Sequence, residues 1–212
     1  GYGKKDEKKP EAKPAEAKPA EAKPDETKPD EAPKAKTPDE LHKEMQGAFL
    51  AANKAEGGVK EKVKVLVSFI ANVAEPLMAH PDSSAVQKEE ARKFKLNTLM
   101  IAANNVPEEY GAACKAYCAE VFAAEPESAL GQLAAVQPFL IDLRGETPPP
   151  DAVAKLTELT QAYPKSALLP SAYVILSSHL KKEGKLAEAT AILNQGVEAL
   201  TAQRWALAAE WV

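Results

Sequence analysis

The chain has 212 residues, 45% of them hydrophobic but only 6% aromatic, and with Ala supplying much of the apolar share this balance favours close-packed helices over sheets. A net charge of −4 and a pI near 5.6 speak against a nucleic-acid partner, which needs a basic excess on one face. No run approaches the ~18 apolar residues that span a bilayer, since the longest candidate, residues 63–74, is short and interrupted by Lys64.

Residues 1–37 are of low complexity. Lys-Pro recurs every five residues, at Pro14, Pro19, Pro24 and Pro29. Up to Thr37 there is one aromatic residue, Tyr2, and no Val, Ile, Leu, Phe or Met. Such a segment has nothing to bury, so the entropy lost on ordering is not offset. The recurrent proline also forbids a helix. The expectation is a disordered Lys/Pro/Ala/Glu-rich linker, extended at roughly 3.1 Å per residue and reaching on the order of 100 Å. Its charges nearly cancel, with ten Lys against eleven Asp and Glu in residues 1–40. Two readings fit it: a spacer of the kind that crosses a bacterial periplasm or cell wall, or a solvated linker with no particular address. A chain beginning at Gly1 leaves room for a signal peptide or lipid anchor upstream. The expected setting is therefore exported, periplasm or cell envelope, with a cytoplasmic one open.

Order is expected from residue 38 to the C-terminus. Thr37-Pro38-Asp39-Glu40 has the pattern of a capping box with Pro at the first helical position. The helical periodicity predicts helices over 38–54, 59–79, 84–104, 107–123, 128–143, 150–162, 167–183 and 186–201, with another start near 203. Pro76 and Pro138 fall inside helices and are expected to kink them. No run of alternating β-branched residues is long enough for a strand.

A short motif occurs three times, as Ala79-His80-Pro81-Asp82-Ser83-Ser84, Ala124-Glu125-Pro126-Glu127-Ser128-Ala129 and Ala162-Tyr163-Pro164-Lys165-Ser166-Ala167. Proline disfavours the α conformation in the residue before it, so a helix ends there. The Ser two residues later is placed to N-cap the next helix. Twelve residues before each proline stand Phe69, Cys114 and Ala152, and eight before stand Val73, Cys118 and Leu156. These offsets share one helical face. Recurrence at this spacing marks stacked helical repeats.

The third unit resembles a tetratricopeptide (TPR) repeat. Tyr173, Leu176, Ser177 and Leu180 stand where that family has W-x2-L-G-x2-Y, Gly184-Lys185 marks the turn, and Ala189, Leu193 and Gly196 fall where it has Ala, Phe and Ala. The segment from Ala152 to the proline at 164 resembles the family's second helix and terminal proline, and Trp205-x2-Ala208-Ala209 resembles the opening of a further first helix. The resemblance covers 150–200 well and degrades over 80–145 and 38–79. It implies an all-α fold of antiparallel hairpins stacked in a short right-handed solenoid over 38–212, preceded by the disordered tail. It further implies that first helices line a groove for a partner protein or peptide. On this sequence the groove positions are Ser171, Val174, Ser178, Lys181 and Lys182. The dilysine could meet acidic groups, or could simply complement the helix dipole at a C-terminus.

Residues that carry chemistry do not assemble into a site. Cys114 and Cys118 are spaced i, i+4 rather than as C-x2-C, lack a second Cys or His pair, and read as small core hydrophobes. His42, His80 and His179 are scattered with no carboxylate or Cys at ligand spacing. Asp39-Glu40, Glu89-Glu90 and Glu108-Glu109 read as helix-start charges, and Asp151, Lys155 and Glu158 as an exposed ladder. There is no phosphate loop, HExxH or GxSxG. No catalytic, cofactor or metal residue is therefore assigned. The expected function is a non-enzymatic interaction scaffold on an extended tether. The alternative is the helical accessory segment of a longer exported protein, for example one with a thioredoxin-like domain.

Overall fold

The computed structural model describes residues 35–209, with side chains through Thr201. The chain divides into two units, Gly1–Ala35 and Lys36–Val212. The linker expected over 1–37 lies almost wholly outside the described residues, so the second unit alone is described. Among the described residues there is no strand, and none of their helices is long and apolar enough to cross a membrane.

The helices are α1 (Pro38–Gln46), α2 (Ala48–Lys54), α3 (Val59–Phe69), α4 (Glu75–Ala79), α5 (Ala85–Asn105), α6 (Pro107–Ala124), α7 (Ala129–Leu143), α8 (Ala152–Ala162), α9 (Leu169–Lys182) and α10 (Leu186–Ala209), with a π turn, Ile70–Ala74, between α3 and α4. The capping box at the start of α1 is present: Glu40 N–H donates to Thr37 Oγ1 and the Glu40 carboxylate accepts from Thr37 N–H.

Several expected helices are divided or displaced. The helix expected over 38–54 is interrupted at Gly47, whose N–H is shared between the Lys43 and Glu44 carbonyls. The one expected over 59–79 contains the π turn, and its cause is Pro76. Proline cannot donate to the carbonyl four residues back and crowds it. In the wider turn Glu75 N–H reaches Ile70 O, five residues back. Pro138, expected to kink its helix, sits within α7, which runs unbroken from Ala129 to Leu143. The start expected near 203 is absent, because α10 continues through Ala209. The Trp205 side chain lies outside the described residues.

Neighbouring helices form hairpins whose cross-contacts fix antiparallel register. Lys95 lies over the Tyr117 ring and Arg92 pairs with Glu125 between α5 and the end of α6. Lys115 pairs with Asp142, and Gly111 faces Ile141, between α6 and α7. Ser177 Oγ donates to Ala189 O, and Gly196 lies against Tyr173, between α9 and α10. By contrast, α1 runs parallel to α5: Gln87 donates to Asp39 and His42 meets Glu90, both 48 residues apart.

Two large apolar cores result, beside a small cluster of Val63, Ala102 and Val106. The first runs from Leu41 through Leu77, Phe94, Leu96, Cys114 and Val121 to Ala134. The second runs from Val136 through Leu140, Leu156, Leu169 and Tyr173 to Ile192. Thus α7 gives its first half to one core and its second half to the other. Most family-signature positions of the third unit are buried here, including Tyr173, Leu176, Ser177, Leu180 and Ala189. Leu193, expected to fill the gap between helices, is instead 41% exposed, and Ile192 takes the buried place.

Candidate functional site

The expected groove residues all lie on α9. The helix places Leu169, Ala172, Tyr173, Leu176, Ser177 and Leu180 inward, so Ser171, Val174, Ser178, Lys181 and Lys182 emerge on the opposite side, and all five are exposed. Ser171, Val174, Ser178 and Lys181 share one face by their i, i+3, i+7 and i+10 spacing. Val174 is 57% exposed. Ser178 Oγ donates to Val174 O within the helix, at 2.8 Å.

The C-terminal end of α9 is closely fixed. Lys185 N–H donates to Leu180 O and Gly184 N–H to Lys181 O, with Gly184 at φ +80. This is the paired bonding that ends a helix at a left-handed glycine. It holds Lys181 and Lys182 in the last turn, where the helix dipole favours cations. No ion pair among the described residues engages either lysine, whereas Lys185 pairs with Glu183 at 2.8 Å, and that carboxylate raises the Lys185 pKa. Beside this end lies a hollow of about 350 Å³ bordered by Pro148, Pro150, Val153, Leu180 and Glu188. The stripe thus offers an apolar centre, two hydroxyls and two free ammonium groups. That set can hold an acidic segment by contact and charge, but it contains no acid, base or nucleophile positioned for bond making.

The remaining candidates are placed as follows. Cys114 and Cys118 are free and fully buried on α6. The hydrogen bond from Cys118 lowers the Cys114 pKa, with a further contribution from Gln137, while the same contact and burial raise that of Cys118. His42 has the carboxylate partner its local sequence lacks, Glu90 on α5. His179 Nε2 meets the Leu143 carbonyl at 2.7 Å, tying α9 to the end of α7. His80 Nδ1 accepts from Asp82 N–H. Asp39-Glu40 and Glu108-Glu109 do lie in first helical turns. Glu89-Glu90 does not, because α5 begins at Ala85; Glu89 pairs with Arg92 and Lys93 instead. In the ladder, Lys155 pairs with Glu158 at 3.3 Å. Among the described residues no group of three or more His, Cys, Asp or Glu could hold a metal ion.

Two features escaped the sequence reading. One is a hollow of about 470 Å³ between α3, the π turn, α5 and α6, walled by Tyr110, Ala113 and Tyr117 over Lys95 and Leu99. The spacing of the two tyrosines, i and i+7, was the available signal. The other is a polar chain across α5 and α7, in which Gln137 Nε2 donates to Asn104 Oδ1, which also accepts from Arg144. Its members stand 33 and 40 residues apart, beyond any local pattern. Comparison of the chain with protein-family models, with curated proteins and with solved structures found no match.

Proposed function

We propose that the chain is a non-enzymatic interaction scaffold in which α5 to α10 stack as TPR-like hairpins and the exposed stripe of α9 holds a protein or peptide partner. The observation that carries this reading is a recurrence of hydrogen bonds between hairpins at nearly constant sequence offset. Asn104 meets Gln137, and Gln132 meets Lys165, 33 residues apart. Leu143 meets His179 at 36, and Thr157 meets Gln195 at 38. Stacked like units produce such an offset, because each element meets its counterpart in the next unit. Stacking leaves one side of the first helices uncovered, and Ser171, Val174, Ser178, Lys181 and Lys182 lie on that side of α9. Their cations match an acidic partner segment, with Val174 as the apolar contact between them.

A photo-crosslinking residue placed at Val174 or Ser178 in the full chain tests this. The control position is Val197 on α10, 63% exposed against 57% for Val174. The expected result is one discrete adduct from the two α9 positions, absent at Val197 and absent when Lys181→Glu and Lys182→Glu are introduced together with unchanged helicity. Equal labelling at all three positions, or labelling indifferent to the charge reversal, overturns the reading.

A further inference from the structure

Cys114 and Cys118 sit at the middle of the α5–α6–α7 sandwich, and their surroundings are more polar than packing requires. The antiparallel register that sets Lys95 against Tyr117 sets Thr98 of α5 opposite Cys114. Gly111 facing Ile141 across the α6–α7 hairpin brings Gln137 of α7 to the level of Cys114. All four side chains are 0% exposed. Cys118 and the Gln137 amide lie near enough to Cys114 for both to lower its pKa. Yet Thr98 Oγ1 and Gln137 Oε1, both buried, have no hydrogen-bond partner.

Buried polar atoms are normally paired, and an unpaired one opposes folding. The equivalent positions of the flanking units are apolar: Phe69 and Val73 before, Ala152 and Leu156 after. Packing at this place in the repeat therefore needs neither sulfur nor amide. Two thiols at i, i+4 have Cβ atoms about 5–6 Å apart, within reach of one ion held by both sulfurs.

We infer that Cys114 and Cys118 form a two-coordinate site for a soft monovalent d10 cation, Cu(I) being the representative, with Gln137 and Thr98 as its polar lining. Thiolates select such ions over harder ones. Binding exchanges two thiol protons for one cation, with no change of oxidation state, and leaves one net negative charge between the helices. The second N–H of the Gln137 amide and the Thr98 hydroxyl are the donors placed to meet that charge. Zn(II) is disfavoured because it requires four ligands, and the described residues supply only this pair of strong ones.

The test is an anaerobic competition in which the reduced full chain takes Cu(I) from its bathocuproine complex, read by loss of the chelator's colour. One equivalent per chain is expected, lost in Cys114→Ser and in Cys118→Ser, and weakened by about tenfold in Gln137→Leu, the usual scale for removing a group that supports a metal ligand. Should a Ser variant lose helicity, Cys114→Ala and Cys118→Ala replace it, since alanine occupies the corresponding place at Ala152. No uptake by the unmodified chain overturns the inference, as does uptake that survives either single substitution or is matched by Zn(II).

Discussion

The two cores of this molecule begin their helices differently, although the same six-residue motif precedes both. In the first, Ser84 and Ser128 cap α5 and α7 directly, accepting from Gln87 N–H and Gly131 N–H. Where the motif carries two serines, the earlier one, Ser83, turns back to donate to Leu77 O and so closes the preceding helix. In the second core, Ser166 is 3% exposed, its Oγ has no partner, and α9 begins three residues later at Leu169. Pro170 explains the delay. A helix capped by Ser166 would need the N–H that Pro170 lacks to reach the Ser166 carbonyl, and the proline ring would crowd that carbonyl. Starting at Leu169 puts Pro170 in the first turn, where no N–H is required. The motif therefore fixes where a helix stops, and the next proline decides where the following one starts. The cores also differ in charge. Ion pairs between helices, such as Lys95–Glu75 and Lys115–Asp142, gather around the first, while the described pairs of the second are local, Lys155–Glu158 and Lys185–Glu183.

The strongest challenge to this contrast is a methyl group added to one glycine in each core. At Gly131 a Cβ would lie 1.9 Å from the Glu125 carbonyl oxygen, where the motif folds back over the first turn of α7. At Gly196 it would lie 2.7 Å from the Tyr173 ring, which Thr160 holds through a 2.9 Å hydrogen bond. Alanine gains up to about 1 kcal/mol in helix propensity, but overpacking of this kind costs about 1–3 kcal/mol. Gly131→Ala is expected to be the worse, by about 3 kcal/mol, or a fall in melting temperature of roughly 6–12 °C for a chain of this size. Gly196→Ala is expected to be milder, and its cost to shrink in a Tyr173→Ala background, which removes the Cγ and Cδ1 it meets. Its clash is with a side chain that can be shortened, and that of Gly131 is with backbone. A Gly131→Ala protein that melts like the unmodified chain would mean the turn opens freely, and the motif would lose its part in closing the first core.

Much of the helical order was legible because its signals are local. The motif's proline, the serine at 128, and the turn glycine at 184 each act within one turn of chain, whereas α5 is capped by Ser84 and not by the expected Ser83. Boundaries failed where two local rules collided, as at Pro76 with its π turn and at Pro170 beyond Ser166. The spacing of Pro170 from Ser166 was visible and would have given the later start of α9. Leu193 and Ile192 changed places because a one-residue rotation on a helix lies below what a family pattern resolves. The exposed positions of α9 were legible through the resemblance, whose pattern set Tyr173, Leu176, Ser177 and Leu180 inward. The partners of His42, Gln137 and Cys114 were not, since they lie 48, 33 and 23 residues along the chain and meet only once the hairpins stack.

A smaller effect sharpens the same contrast with opposite signs. Ser84→Ala removes the hydroxyl that accepts from Gln87 N–H and leaves the backbone half of the capping box, Ser84 N–H to Gln87 Oε1; it is expected to destabilise by about 1 kcal/mol. Ser166→Ala removes a buried oxygen with no partner and is expected to leave stability unchanged or raise it, by up to about 1 kcal/mol. Urea titration of the two variants against the unmodified chain reads both. Equal losses would show that Ser166 caps after all, and the two cores would then begin their helices alike.

The smallest effect concerns charge. A hydrogen bond from Tyr110, followed by one from Lys60 at 3.1 Å, holds the Glu109 carboxyl below its ordinary value, and Glu109 raises Lys60 in return. A depressed carboxyl pKa favours the folded state above the ordinary value, and the benefit disappears as pH falls through the folded one. A raised lysine pKa favours it up to the ordinary lysine value and is lost only in strong alkali. Both groups are open to water, so screening keeps the contribution small. The melting temperature of Glu109→Gln should therefore lie slightly below that of the unmodified chain at neutral pH and converge with it as the carboxylate protonates. A Glu109→Gln deficit that persisted unchanged into acid would assign the loss to packing at the α3–α6 junction, and inter-helical charge would cease to distinguish the two cores.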